Sequence, residues 1–216
     1  AMMKNNLTLN AWLYDSVVAH AVSTSGRPEG PYEFADIALD SGSDRWDGVT
    51  VHNPDAKMLP DGTIAIFYMG SNNHSAPVPK GGNLLEFNQR VGVAFSKDPA
   101  GPWQRLPKPI IDIGEKGAWD DGFTTNPAPY IYPNGSVLVI YKARSFEKPS
   151  DMYQGVAFAS SFNSTYTKLS SKPINLPTQV CVPLVLLCCL RRLFSAFAKP
   201  SSSCVVFLLF TCMYGC

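Results

Sequence analysis

Cysteine is missing from most of this chain. All six cysteines fall near its end, at Cys181, Cys188, Cys189, Cys204, Cys212 and Cys216. Asp and Glu are missing from about Gln179 onward. A disulfide framework needs spaced partners; the body of the chain has none to offer, and the adjacent Cys188 and Cys189 do not resemble such a framework. The two apolar runs of the tail are each about eleven residues, short of the roughly twenty that a spanning helix needs, so no membrane partner is expected. Nor is there a basic stripe, which argues against nucleic acid. His20, His52 and His74 have no ligand spacing, so no metal is expected. Without a Gly-rich phosphate loop or a nucleophile elbow, no cofactor is expected either. No signal peptide is visible in "AMMKNNLTLN", although a truncated start would have lost one.

The remaining composition suits a β-rich body. Three of the cations, Arg191, Arg192 and Lys199, lie in the acid-free tail, so the rest of the chain is mildly acidic although the net charge is +1. Eighteen prolines and 16 glycines fit many turns between short strands. Four Asn-x-Ser/Thr sequons, at Asn6, Asn73, Asn134 and Asn163, give slight support to a secretory parent.

The chain also repeats itself. "WDGVTVHNP" begins at Trp46 and "WDDGFTTNP" at Trp119. Trp46 and Trp119, Asn53 and Asn126, Gly62 and Gly135, and Tyr68 and Tyr141 keep one offset, which defines a repeat of about 65 to 75 residues. Each unit reads as four short strands. "DAKML" or "APYIY" is the first, and a "PDG" or "PNG" turn whose glycine supplies positive φ leads to the second. "TIAIFYMG" or "SVLVIYKA" is β-branched and aromatic, and alternates well enough for one buried face. "VGVAFS" or "GVAFAS" is the third, with "WQRLP" or "YTKLS" the fourth. Upstream, Val17 to Leu39 matches only the last two strands of a unit, with Gly30, Pro31 and Tyr32 against Gly101, Pro102 and Trp103. The chain is therefore expected to start inside a blade.

Four antiparallel strands at this period describe a propeller blade. The expected fold is all-β: a partial five-bladed β-propeller of about two and a half blades over residues 1–178, with an atypical apolar tail over residues 179–216. The tail has three readings: a membrane anchor, a disulfide module, or translated non-coding or frameshifted sequence. The third is favoured. With about half of a ring absent, the chain is expected to be inactive and to fold poorly alone.

In a propeller the first strand of each blade lies nearest the axis, so residues entering those strands converge on one funnel. "WDGVTVHNPDAKMLPDGTIAIFYMGS", "RVGVAFSKDPAGPWQRLPKPIID" and "WDDGFTTNPAPYIYPNGSVLVIYKARS" resemble the propeller glycoside hydrolases of the family 43 type and their arabinanase, xylosidase and invertase-like relatives. The resemblance covers roughly Trp12 to Pro173 and specifies no substrate. It implies hydrolysis of a glycosidic bond in a carbohydrate substrate by an acid/base pair of carboxylates, with a third acid tuning them. Where the family often has Asp-Pro, this sequence has Asn53-Pro54 and Asn126-Pro127, and an amide cannot act as a base.

The catalytic candidates are Asp47, Asp120 and Glu147. Asp47 and Asp120 share one repeat position, where the alternative is a blade-to-blade hydrogen bond. Glu147 is the best placed Glu for a general acid, or else a surface charge. Asp55 and Asp121 read as surface acids. His52 beside Asn53 could bond a sugar or carry a proton, or be structural. Asn53 and Asn126 could bond sugar hydroxyls; Arg90, Lys142 and Arg144 could hold a polar ligand or line a solvated edge. Trp46 and Trp119 could stack on sugar rings or simply pack. A non-catalytic carbohydrate-binding propeller is the alternative function. A WD-repeat interaction propeller is disfavoured, because its usual period is about 40 to 45 residues.

Overall fold

A computed structural model describes residues 2–3, 16–42, 44–72 and 84–174. The tail over 179–216, the sequons at Asn6 and Asn73, and His74 lie outside the described residues. Among the described residues the chain is a partial β-propeller of three antiparallel sheets. The first sheet contains β1 (Met2–Met3), β2 (Ser16–Ser23) and β3 (Tyr32–Leu39). The second runs in order through β4 (Thr50–Met58), β5 (Ile64–Ser71), β6 (Arg90–Ser96) and β7 (Gln104–Arg105). The third does the same through β8 (Phe123–Ile131), β9 (Val137–Arg144), β10 (Tyr153–Ala159) and β11 (Thr167–Lys168). A one-turn helix, α1 (Leu84–Phe87), lies between β5 and β6.

The hairpins are made as the turn chemistry requires. Gly62 and Gly135 take φ of 81° and 84°, and the preceding Asp61 and Asn134 each accept a hydrogen bond from the backbone N–H two residues on, at 2.9 and 3.1 Å. The upstream half-copy matches in detail as well: Gly30-Pro31 and Gly101-Pro102 are both cis.

Two apolar layers join the sheets. Val18, Ala38 and Leu39 of the first blade pack with Val51, Ile66, Tyr68 and Ala94 of the second. Ala65, Phe67, Val91 and Val93 pack from the second blade's other face against Val137, Val139, Tyr141 and Ala157 of the third. One buried face was the expectation for both second strands. It holds for β9, which alternates; β5 is buried at every position because its sheet is sandwiched between two neighbours.

The repeated Trp-Asp segment crosses its own blade. Trp46 and Asp47 precede β4; the indole stacks on Tyr68 of β5 at 5.9 Å and lies over Gly92 of β6, where any Cβ would stand 2.6 Å from it. Asp47 Oδ2 accepts hydrogen bonds from Tyr68 Oη (2.7 Å) and from Arg105 Nη1 of β7 (2.8 Å). The second copy repeats each contact. Trp119 stacks on Tyr141 at 6.0 Å over Gly155, and Asp120 Oδ2 accepts from Tyr141 Oη (3.1 Å) and Lys168 Nζ (2.6 Å). Burial first, then the neighbouring carboxylate charge, pushes both phenols up, so each stays a protonated donor.

The clasp differs from the blade-to-blade bond weighed for Asp47 and Asp120. Its bonds run from the segment before the first strand to the second and last strands of the same sheet. The link to the preceding blade comes instead from Asp40, just after β3, whose backbone and side-chain oxygens both accept from Arg105 Nη2 at 2.7 Å.

Removing the Asp47 carboxylate leaves Arg105, only 10% exposed, with Asp40 as its remaining carboxylate and leaves the buried Tyr68 hydroxyl without its acceptor, whereas Lys168 opposite Asp120 is 28% exposed. Asp47→Ala is therefore expected to cost about 3 kcal/mol and Asp120→Ala about 1 to 2 kcal/mol. Urea unfolding midpoints check the ranking; equal losses, or none, would refute it.

Candidate functional site

The two Asn-Pro motifs sit inside the innermost strands. The sequence pattern predicts that those strands begin after the proline, but β4 starts at Thr50 and β8 at Phe123. Proline has no N–H for the ladder, so within sheets it is confined to edge strands, strand starts and bulges. Each strand has such a bulge, between His52 and Asp55 and between Thr125 and Ala128. At each bulge the asparagine takes a left-handed φ of 49°, a region that Asn enters more readily than most residues. Both were singled out by sequence, and the structure brings them into contact: Asn53 Nδ2 donates to Asn126 Oδ1 at 2.7 Å across the two blades.

The residue before each asparagine completes the constellation. His52 and Thr125 occupy the same repeat position and both are buried. Thr125 Oγ1 donates to Asn126 Oδ1 at 2.9 Å, and the His52 side chain hydrogen-bonds Asn53. Burial pulls the His52 imidazole down to about 4, against the opposing effect of that hydrogen bond. His52 is thus neutral at ordinary pH, and the four polar side chains form one network spanning two blades.

Asp55 follows the first bulge. Its carboxylate is half-buried and paired with Lys57 Nζ at 2.6 Å; burial raises its pKa, and Lys57 opposes this. Its counterpart in the third blade is Ala128, so of these two copies only the first carries the carboxylate. Reading it as a surface acid is corrected by this burial. Asp121 needs the same correction: it is 3% exposed and accepts from the N–H groups of Phe146 (2.8 Å) and Gly117 (2.7 Å), which binds it into loop structure.

Other sequence candidates lie elsewhere. Asp47 and Asp120 are 0% and 2% exposed and sit with Trp46 and Trp119 in the clasps. Arg90 Nε donates to Asp112 at 2.6 Å and Nη1 to the carbonyls of Phe87 and Gln89, so its guanidinium braces the backbone beside α1. Arg144 Nη1 donates to Glu86 at 2.7 Å, and its guanidinium lies over Phe123 at 5.3 Å. Phe87 packs on Phe123 and Phe146 beside it, closing the junction of second and third blades. Lys142 is exposed on β9, its Cα opposite Thr125. Glu147 is exposed in the bend after β9. Sequence reasoning missed Thr125 and misjudged Asp55. Thr125 could have been found by its alignment with His52; the burial of Asp55 depends on packing that no local pattern reveals.

Among the described residues no three His, Cys, Asp or Glu side chains gather to hold a metal ion, and no helix is long and apolar enough to cross a membrane.

The His52 environment makes stability depend on pH. The unfolded imidazole binds a proton near its ordinary 6.5 and the folded one only near 4, so between those values the unfolded state holds more protons. Stability from this group is complete above about 6.5 and is lost as pH falls to about 4, by roughly 3 kcal/mol. Chemical denaturation across this window should show that slope in the parent chain and a flatter one in His52→Gln; parallel slopes would exclude His52 as the source.

No protein-family model and no curated protein sequence matches the chain. Solved structures do. A family 117 glycoside hydrolase of the marine bacterium Zobellia galactanivorans is similar over 70% of this chain, at 21% identity and a TM-score of 0.54. The fructan 1-exohydrolase IIa of Cichorium intybus is similar over 73% of it, at 19% identity and a TM-score of 0.53. The matched regions span 40% and 26% of those two proteins, so this chain corresponds to less than half of either. It has the propeller fold that both share.

Proposed function

We propose that this chain belongs to a glycoside hydrolase-like propeller that binds plant- or algal-type polysaccharides or oligosaccharides at its axis and hydrolyses glycosidic bonds by carboxylate acid/base chemistry. The Asn53–Asn126 contact carries this reading. Two left-handed asparagines from different blades meet at 2.7 Å, each on a bulge of an innermost strand. Strained backbone positions of this kind persist where function requires them, and a bulge re-aims a side chain. Each amide carries both donor and acceptor groups, which suits the hydroxyls of a sugar. The fold shared with two glycoside hydrolases supports the same class of ligand.

We assign roles as follows. Asn53 and Asn126 hold hydroxyls, while His52 and Thr125 fix the amides. Asp55 is the carboxylate best suited to general acid work, because its burial favours the protonated form that an acid must present. Asp47 and Asp120 close their blades, and Trp46 and Trp119 cover those closures.

One observation favours a second reading, binding without turnover. Both repeat positions carry amides, which cannot take a proton from water.

Titration with arabino-, xylo- and fructo-oligosaccharides, with reducing-end release followed in parallel, tests both. Binding should weaken about tenfold in Asn53→Ala or Asn126→Ala, as expected for the loss of one or two good hydrogen bonds. In Asp55→Asn, release should fall by about a hundredfold or more while binding stays within about twofold. Binding with no release in the parent chain supports the second reading. Absence of carbohydrate binding overturns both.

A further inference from the structure

Away from the axis, a groove of about 500 Å3 opens at the junction of the second and third blades. Phe95 of β6 and Phe162, in the turn between β10 and β11, meet edge to face at 5.0 Å in its wall. Gln104 and the Lys97–Asp61 pair contribute polar groups, and Asn163 stands at its edge.

Asn163 begins the sequon Asn163-Ser164-Thr165, and the local structure separates its three residues by role. Ser164 locks the turn: its N–H donates to the Ser161 carbonyl at 3.2 Å, its hydroxyl donates to the same carbonyl at 2.9 Å, and its Oγ accepts from Ser161 N–H at 3.0 Å. Asn163 and Thr165 are both exposed. The Asn163 side chain is held through Oδ1, which accepts from Ser161 Oγ at 2.9 Å, and among the described residues Nδ2 makes no hydrogen bond. The sequon at Asn134 is arranged oppositely. Its hydroxyl residue, Ser136, is 5% exposed, and both its N–H (3.1 Å) and its Oγ–H (2.7 Å) donate to Asn134 Oδ1. Gly135 between them is fixed at φ 84° by the hairpin.

We propose that Asn163 is an N-glycosylation acceptor, that Asn134 is not, and that the first sugar on Asn163 packs in the Phe95–Phe162 groove. In the transfer, Asn163 Nδ2 bonds to the anomeric carbon of a lipid-diphosphate-linked oligosaccharide. The carbon–oxygen bond to diphosphate breaks, the lipid diphosphate leaves with the electron pair, and one amide proton is released to solvent. The product is a neutral amide at an exposed turn, where a bulky glycan is accommodated. The apolar face of its first sugar meets the aromatic wall, while Gln104 and Asp98 are near enough to the groove to meet its hydroxyls.

The full chain, carrying a secretory leader and Asn6→Gln and Asn73→Gln, tests this in eukaryotic cells. Glycopeptide mass spectrometry is read on secreted and retained pools alike, so that a folding failure does not hide the answer. A glycan is expected at Asn163 and none at Asn134, and Asn163→Gln or Thr165→Ala should abolish the mobility shift. An unmodified Asn163, or equal modification of Asn134, overturns the assignment. The glycosylated chain should also melt about 2 °C above Asn163→Gln; an unchanged midpoint overturns the packing of the sugar in the groove.

Discussion

A carboxylate shut inside each blade organises the rest of this structure. Asp47 and Asp120 are cut off from water, a state that costs several kcal/mol unless each charge is met by a cation and hydrogen bonds. A tyrosine from the second strand and a cation from the fourth meet it in both copies. The requirement fixes more than the acid. The indole before it needs room over the third strand, which only a glycine at Gly92 or Gly155 leaves open. Both tyrosines must stay protonated, and their burial ensures it. The short fourth strands have only two residues each, and Arg105 and Lys168 anchor them through the clasp.

With the blades closed in this way, their innermost strands are free to depart from regular pairing. The bulges at Asn53-Pro54 and Asn126-Pro127 use that freedom. They turn two amides toward each other across a blade boundary, and the buried His52 and Thr125 behind them limit the geometries available. The clasp and the amide pair thus divide the repeated motif. Its first half builds the blade, and its second half carries polar groups to the axis. Catalysis needs carboxylates in distinct environments, and the two clasps bury theirs in similar ones, each against a tyrosine and a fourth-strand cation. Asp55, present in one copy only, has the asymmetry that the repeat lacks.

The repeat made most of the fold legible. Glycine in the turns, apolar alternation and the constant offset locate the strands, because these are local demands on the backbone. Strand starts at Thr50 and Phe123 were hidden, since a proline four residues in reads as a boundary unless the bulge around it is known. The site was legible in part. Asn53, Asn126 and His52 could be named from repetition and adjacency. The closure of the Trp-Asp segment over its own sheet was not legible, because Arg105 lies 58 residues beyond Asp47 and Lys168 lies 48 beyond Asp120. Arg90 and Arg144 also looked available from sequence; their carboxylate partners are Asp112, in the segment between β7 and β8, and Glu86 of α1.

In the proposed function, the two asparagines at the blade boundary face a carbohydrate together. Side-chain amide NMR signals of Asn53 and Asn126, assigned by single substitution, test it most directly during titration with an oligosaccharide mixture. Joint, saturable shifts of both pairs of signals, with the Asn163 signals unmoved, are the predicted result. Saturable shifts confined to other residues, with Asn53 and Asn126 unmoved, would contradict it.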